Sequence, residues 1–152
     1  MKKFGLLGLL CLSLCLPQLS SAATKEEMVA FVKKAAKYIK DHGKDAAFKT
    51  FSNHRDKEFH QGELYMYVYD YKGVNLAHGV RPALIGKPSI DLKDPNGFLV
   101  IAELAKVAKE KKAGFVEYHW SNPEHNKVEK KLGYVEDVDG QYFIGSGIYF
   151  GN

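Results

Sequence analysis

Cysteine is scarce in this 152-residue sequence, which contains two cysteines. Both of them, Cys11 and Cys15, lie within the first 22 residues, and each follows a leucine where a lipid-attachment signal would have a small residue. If that segment is removed, the remaining chain can form no disulfide, has no cysteine nucleophile and offers no cysteine ligand to a metal. These classes of chemistry are therefore excluded for the mature protein.

Several other features are also missing. No apolar run after the N-terminal region is long enough to span a membrane, so we expect no membrane anchor in the mature chain. The formal net charge is +4 and falls by two when Lys2 and Lys3 are removed, which does not indicate a nucleic-acid partner. The sequence contains neither a Gly-x-Ser-x-Gly nor a His-Glu-x-x-His motif. We therefore expect no metal, no cofactor and no catalytic residues.

The first 22 residues have the form of a secretory signal peptide. Lys2 and Lys3 precede an uncharged stretch, residues 4–16, and small residues follow at 20–23. We expect cleavage after Ala22 or Ala23, export to the periplasm, and a single domain over residues 23–152. An uncleaved anchor is the alternative, which the short apolar core and the adjacent small residues disfavour.

Helix and strand patterns alternate along the mature chain. Thr24-Lys25-Glu26-Glu27 forms a capping box, which predicts a long helix ending near Gly43, and residues 44–52 predict a shorter one. A third helix is predicted over residues 98–112, after a long irregular connection. Strands are predicted over residues 64–70, 74–78, 115–120, 133–138 and 142–150. The order predicts an α+β domain in which the long N-terminal helix packs on an antiparallel sheet of about five strands.

Aromatic residues alternate along two of the predicted strands. Tyr65, Tyr67 and Tyr69 share one face of the first strand, and Tyr118 and Trp120 share a face of another. Such rings can line a surface that binds a small polar ligand. The alternative is a half-buried outer face of the sheet, which periodicity alone favours.

From Tyr65 onward the chain resembles the single Cache domain family, the extracytoplasmic sensing module of bacterial chemoreceptors and sensor kinases. The resemblance depends on the order and spacing of several short pieces, namely Tyr67-Val68-Tyr69-Asp70, Ala77-His78-Gly79, Ile85-Gly86-Lys87, Asp94-Pro95-Asn96-Gly97, residues 114–120, Lys131 with Tyr134-Val135, and residues 144–149. It implies a PAS-like sheet with a ligand pocket between its curved face and the long connection. Family pockets usually receive small carboxylates, amino acids or related metabolites.

The resemblance also implies which residues line the pocket, namely Tyr67, His78, Tyr118, Trp120 and Lys131. Lys131 would bind a carboxylate, His78 and the tyrosines would orient the ligand, and Trp120 would form an apolar wall. We expect Lys131 to lie outside the hydrophobic core and its neighbour Lys130 to be solvated.

The implied function is ligand binding without turnover. Receptor members of the family continue into a transmembrane helix, whereas this sequence stops at Asn152, so we expect a soluble periplasmic sensory domain that acts through a separate membrane receptor or sensor kinase. The alternative is a small exported enzyme or inhibitor on the same fold, for which His78 with Glu117 is the one candidate acid-base pair. A third possibility is a purely structural subunit, which a collapsed cavity filled by Tyr67 and Trp120 would favour.

Export can be tested directly. We expect the secreted protein to begin at Ala23 or Thr24, because the small residues after the apolar core form a cleavage site. Mass spectrometry of the secreted fraction measures this. A mass that includes Lys2 and Lys3, or an acylated Cys15, would contradict the prediction.

Overall fold

Two helices begin the described part of the chain, which is residues 23–150 of a computed structural model. Helix α1 covers Lys25–His42 and α2 covers Lys44–Phe51. The Thr24 hydroxyl accepts a hydrogen bond from the Glu27 amide at 3.1 Å, and the Glu27 carboxylate accepts one from the Thr24 amide at 2.7 Å. The predicted capping box is thereby confirmed, whereas the predicted signal peptide lies outside the described residues.

A five-stranded antiparallel sheet forms the centre of the domain, and a two-stranded sheet lies beside it. The elements after α2 are β1 His60–Gln61, β2 Leu64–Tyr65, β3 Tyr67–Asp70, β4 Asn75–His78, α3 Val100–Lys111, β5 Ala113–Asn122, β6 Lys127–Val138 and β7 Tyr142–Phe150. Strands β1 and β2 pair with each other, and the larger sheet has the order β4-β3-β7-β6-β5. The predicted α+β class and five-stranded antiparallel sheet are confirmed.

Both faces of the large sheet are covered, so the domain has two hydrophobic clusters. One face packs against α1 and α2, with Val68, Ile144 and Ile148 among its buried residues. The other face packs against α3 and holds the tyrosines of β2 and β3. Tyr65, Tyr67 and Tyr69 are at most 3% exposed. The prediction that these tyrosines form a half-buried outer face of the sheet is therefore wrong. Alternation along a strand does not show which face of the sheet is covered by a helix from elsewhere in the chain.

Glycines in β7 make room for large side chains on the face below α3. Gly145 pairs with Tyr67 of the neighbouring strand, and a Cβ atom there would lie 2.6 Å from the Tyr67 ring and 2.7 Å from the Tyr134 carbonyl oxygen. A Cβ at Gly147 would overlap the Lys131 side chain in the same way. The Gly145-Ser146-Gly147 segment thus lets a tyrosine and a lysine lie flat across the sheet.

Two strands differ from the sequence prediction by more than a few residues or by a division. The predicted strand over residues 64–70 is divided at Met66, because Leu64 and Tyr65 pair with β1 while β3 pairs with β4 and β7. Strand β6 begins at Lys127 instead of residue 133, although its first residues are mostly charged. Pairing with β5 extends it, and tertiary pairing of this kind overrides local strand propensity.

The close approach at Gly145 predicts the result of a mutation. Gly145→Ala would force the Tyr67 ring or the β6 backbone to move, and overpacking of this kind typically costs about 1 to 3 kcal/mol of unfolding free energy. Urea denaturation followed by circular dichroism measures the change. Val128→Ala, at a strand position that is 53% exposed, is the control and should cost no more than about 0.5 kcal/mol. Equal losses in the two variants would contradict this account.

Candidate ligand-binding cavity

A small cavity lies between the sheet and the first turns of α3. Strand residues form its floor and α3 forms its roof. Its lining consists of Tyr65, Tyr67, Tyr69, His78, Val100, Ile101, Leu104, Tyr118, Trp120 and Lys131. The cavity volume is about 10 Å³, which is about the space that one water molecule occupies.

Lys131 is the charged residue of this lining. Its side chain is fully buried, and its Nζ atom donates to the hydroxyl oxygens of Tyr65 at 2.9 Å and Tyr149 at 3.1 Å. Nζ also lies 4.2 Å from the centroid of the Tyr65 ring and 4.6 Å from that of Tyr149. Within residues 23–150 no carboxylate forms an ion pair with Lys131. The ammonium is therefore held by hydroxyls and π faces alone.

This environment changes the acid-base properties of the lysine. Burial lowers the pKa of Lys131 well below its usual range, and the positive charge of Arg81 lowers it further, against an opposing effect of Glu63. The charged form is penalised because burial removes Nζ from bulk water, and the charge of Glu63 offsets this only in part. An anion placed next to Nζ would remove that penalty.

His78 lies at the end of β4, beside the Tyr65 ring. Its Nδ1 atom accepts hydrogen bonds from the backbone amides of Val80 at 3.3 Å and Arg81 at 3.0 Å. The neutral ring therefore carries its proton on Nε2 and can donate from that atom. Burial lowers the pKa of His78 to about 3, and the charges of Lys131 and Arg81 contribute. The ring consequently stays neutral over the whole physiological range.

The aromatic residues supply further donors and an apolar wall. The Tyr67 hydroxyl donates to the Ser146 carbonyl oxygen at 3.3 Å. Burial raises the pKa values of Tyr67 and Tyr118, so both hydroxyls keep their protons. The rings of Tyr118 and Trp120 meet edge to face, with centroids 6.1 Å apart, and the Arg81 guanidinium lies 5.7 Å from the Trp120 ring.

A carboxylate in the connection that leads into α3 binds the edge strand β5 of the sheet. Asp94 accepts hydrogen bonds from the backbone amides of Asn96 and Phe98 within its own turn, and from the amide of His119 on β5 at 3.0 Å. These bonds hold the start of the roof next to the edge strand. Helix α3 itself has no side-chain cap at Leu99, and the amide of Val100 in its first turn donates to the Leu92 carbonyl oxygen at 3.1 Å.

All five residues that the sequence pointed to line this one cavity. Their role in binding stays a prediction. One expectation about them is wrong: Lys131 is completely buried, because β7 and the tyrosine rings enclose a side chain that a surface lysine would extend into water. Lys130 is exposed, as expected, and forms an ion pair with Glu117 at 2.7 Å.

The five residues implied by the family resemblance do not include two residues that contact Lys131 directly, Tyr65 and Tyr149. Tyr65 has the same alternation as Tyr67 and could have been included on that basis. Tyr149 pairs with Lys131 across β6 and β7, a register that is known only once the strand order is known. The cavity residues of α3, Val100, Ile101 and Leu104, follow helical spacing, but this spacing does not show which face of the sheet the helix covers.

His78 and Glu117 do not form an acid-base pair. His78 faces the buried cavity, whereas Glu117 lies on the exposed side of β5 with Lys130. Residues 23–150 also contain no group of three or more His, Cys, Asp or Glu side chains placed to hold a metal ion. No helix of the same region is both long enough and apolar enough to cross a membrane.

Comparison with known proteins gives consistent results. Residues 20–152 match the family model described as single Cache domain 2. The sensor histidine kinase MctS of Rhizobium johnstonii is 37% identical over 86 residues, which is 56% of this chain and 18% of that protein. The methyl-accepting chemotaxis protein McpP of Pseudomonas putida is 29% identical over 86 residues, 56% of this chain and 16% of that protein. The chain thus spans less than a fifth of the length of these relatives.

Solved structures show the same fold. A methyl-accepting chemotaxis protein from Vibrio parahaemolyticus superposes with a TM-score of 0.72 at 31% identity, covering 82% of this chain and 87% of that one. A Cache chemosensory domain, solved as the structural basis for carboxylic acid recognition, superposes with a TM-score of 0.70 at 25% identity, covering 83% and 92%. With the family match extending over all the described residues, the chain belongs to the single Cache domain 2 family.

Proposed function

We propose that this domain is a periplasmic sensor that binds a small carboxylate at Lys131 and passes on its ligand state without changing the ligand. Single Cache domains are extracytoplasmic sensors, and the matched relatives are a sensor kinase and a chemoreceptor. The predicted signal peptide supports a periplasmic location. The proposed signalling partner is a membrane receptor or a sensor kinase.

The buried ammonium of Lys131 is the observation on which the proposal depends. Taking an ammonium out of water costs several kcal/mol unless an opposite charge compensates it. Residues 23–150 place hydroxyls around Nζ but no carboxylate within ion-pair distance. A ligand carboxylate would supply the missing charge and would bind through charge-assisted hydrogen bonds.

The other residues that line the cavity favour the binding of an anion over the binding of a cation. Around Lys131 the cavity presents tyrosine hydroxyls, the Nε2–H of His78 and the indole of Trp120, and its lining contains no Asp or Glu side chain. The Nε2–H of His78 can donate a hydrogen bond to an oxygen-rich guest, and the Tyr67 hydroxyl can do so if it releases the Ser146 carbonyl oxygen. Val100, Ile101 and Leu104 leave an apolar roof for the carbon part of the ligand. A related Cache domain that recognises carboxylic acids adds support from comparison.

Because the cavity is small, we expect ligand binding to change the structure around it. A guest larger than water has to displace the first turn of α3, which has no side-chain cap and follows an irregular connection. Binding is therefore coupled to movement of the roof. Trp120 is the single tryptophan of the chain and lies at the cavity, so its fluorescence reports this movement. A purely structural subunit would have the same small cavity and would show no change with any ligand.

Substituting Lys131 tests the assigned role. In Lys131→Met the ligand carboxylate would be buried without a cation, so we expect affinity to fall at least a hundredfold, about 3 to 5 kcal/mol. The empty variant should be at least as stable as the wild type, because Met replaces a buried amine whose charged form is penalised by burial. The hydroxyls of Tyr65 and Tyr149 still bond to each other, and that of Tyr149 still donates to the Ser121 carbonyl. Calorimetric titration and thermal unfolding measure the two effects.

The matched control is Lys130→Met, which removes an exposed lysine from the adjacent position. The titrations use a panel of short carboxylates, each compared with its uncharged amide, which should not bind. Equal loss of affinity in both variants, or no loss in Lys131→Met, would reject the role of Lys131. Binding of the amides as tightly as the acids would reject carboxylate recognition.

The pH dependence of binding follows from the lowered pKa of Lys131. A bound carboxylate favours the ammonium form, so the pKa of Lys131 is higher in the complex than in the empty domain, and binding takes up a proton wherever the empty domain has lost it. Affinity should therefore fall as pH rises above the pKa of the empty state, by up to about tenfold per pH unit. Titration calorimetry in buffers of different ionisation enthalpy measures the proton uptake. Proton release, or affinity that increases with pH, would contradict the account.

A further inference from the structure

One carboxylate connects the first and the last described elements of the domain. Glu63 lies between β1 and β2. Its Oε1 atom accepts a hydrogen bond from the backbone nitrogen of Ala23 at 3.1 Å, and its Oε2 atom accepts one from the amide of Tyr149 at 3.0 Å. Both bonds are partly buried. The side chain thus holds the residue that precedes the α1 cap against strand β7.

We propose that the mature protein begins at Ala23 and that Glu63 is the binding site for its α-ammonium group. The sequence allows cleavage after Ala22 or after Ala23. Cleavage after Ala22 would convert the Ala23 nitrogen, already 3.1 Å from a carboxylate oxygen, from a neutral amide into a cation. A hydrogen bond from a neutral amide to a carboxylate would then become an ion pair in which the donor is charged as well. The proposal depends on the predicted export and is independent of the ligand.

An ion pair between the Ala23 α-ammonium and Glu63 would offset an unfavourable interaction with the N-terminus of helix α1. A positive group close to the N-terminus of a helix is unfavourable, because the first amides of the helix carry partial positive charge. Glu27 already accepts the Thr24 amide in the capping box, so it is engaged one residue further along. Glu63 is the carboxylate that contacts Ala23 itself. Cleavage after Ala23 would remove this contact and leave Glu63 with the Tyr149 amide.

The pairing also has a consequence near the cavity. Tyr149 uses its amide to bind Glu63 and its hydroxyl to contact Lys131. Removal of the signal peptide would therefore strengthen the attachment of the α1 start to the strand that carries this tyrosine. Processing, in this account, makes the mature domain more stable than the same residues within the precursor.

The experiment compares two forms of the protein that begins at Ala23. One has a free α-amino group, and the other is acetylated there, which restores the neutral amide of the precursor. We expect acetylation to increase the unfolding equilibrium constant about fivefold and to lower the Tm by roughly 3 °C. In Glu63→Gln acetylation should no longer destabilise the protein, because the α-ammonium then has no carboxylate partner at Ala23 and lies near a helix N-terminus. In Glu26→Gln, which changes an exposed acid of the first turn, the full difference should remain. Mass spectrometry of the exported wild type should show Ala23 as the first residue.

Each other result overturns the proposal. A mature N-terminus at Thr24 would remove the proposed ammonium. A destabilisation by acetylation that persists in Glu63→Gln would assign the effect to another acid. If Glu63→Gln does not fold, the wild-type pair alone decides: the difference must shrink at about 1 M salt, where charges are screened within about 3 Å. A difference that is absent at low salt, or unchanged by salt, is evidence against an ion pair.

Discussion

The buried ammonium of Lys131 is the constraint on which the cavity depends. It lies between two tyrosine rings and donates to their hydroxyls, without a carboxylate among the described residues to balance its charge. A protein that needed only stability would favour an apolar side chain of the same length at this position. A lysine at this position is explained if a ligand carboxylate pairs with its side chain. The free energy of unfolding of the empty domain is then lower than that of the domain with a bound anion.

The register of the sheet allows the lysine to occupy this place. Gly145 and Gly147 alternate with buried residues along β7, so that Tyr67 and Lys131 lie flat where a Cβ atom would collide with them. The same face is closed by α3, whose first turn has no side-chain cap. The cavity therefore has the sheet on one side and α3 on the other. Ligand binding would act on the sensor through movement of α3.

The fold was largely predictable because its local signals agree with one another. The capping box at Thr24 and the strand alternation after Gly62 define the elements without reference to the rest of the chain. Two kinds of fact were not predictable from local pattern. The burial of the β3 tyrosines depends on where α3 packs, and the extension of β6 to Lys127 depends on pairing with β5.

The candidate site was also predictable only in part. Resemblance to the family pointed to Tyr67, His78, Tyr118, Trp120 and Lys131, and the fold brings all five to one cavity. Tyr149 was not predicted, because it contacts Lys131 from a neighbouring strand. The full burial of Lys131 escaped prediction because a lysine in a charged segment is usually solvated. Contacts that depend on strand order cannot be deduced from spacing along one strand.

The most direct test of carboxylate recognition is to measure the protonation of Lys131 itself. NMR titration of the labelled lysine side chain, in the empty domain and with a bound short carboxylate, gives the pKa of Lys131 in each state, with Lys131→Met to assign the signal. The account predicts a pKa well below the usual lysine range in the empty domain and a return toward that range when the carboxylate binds. A pKa that is the same in both states would contradict it.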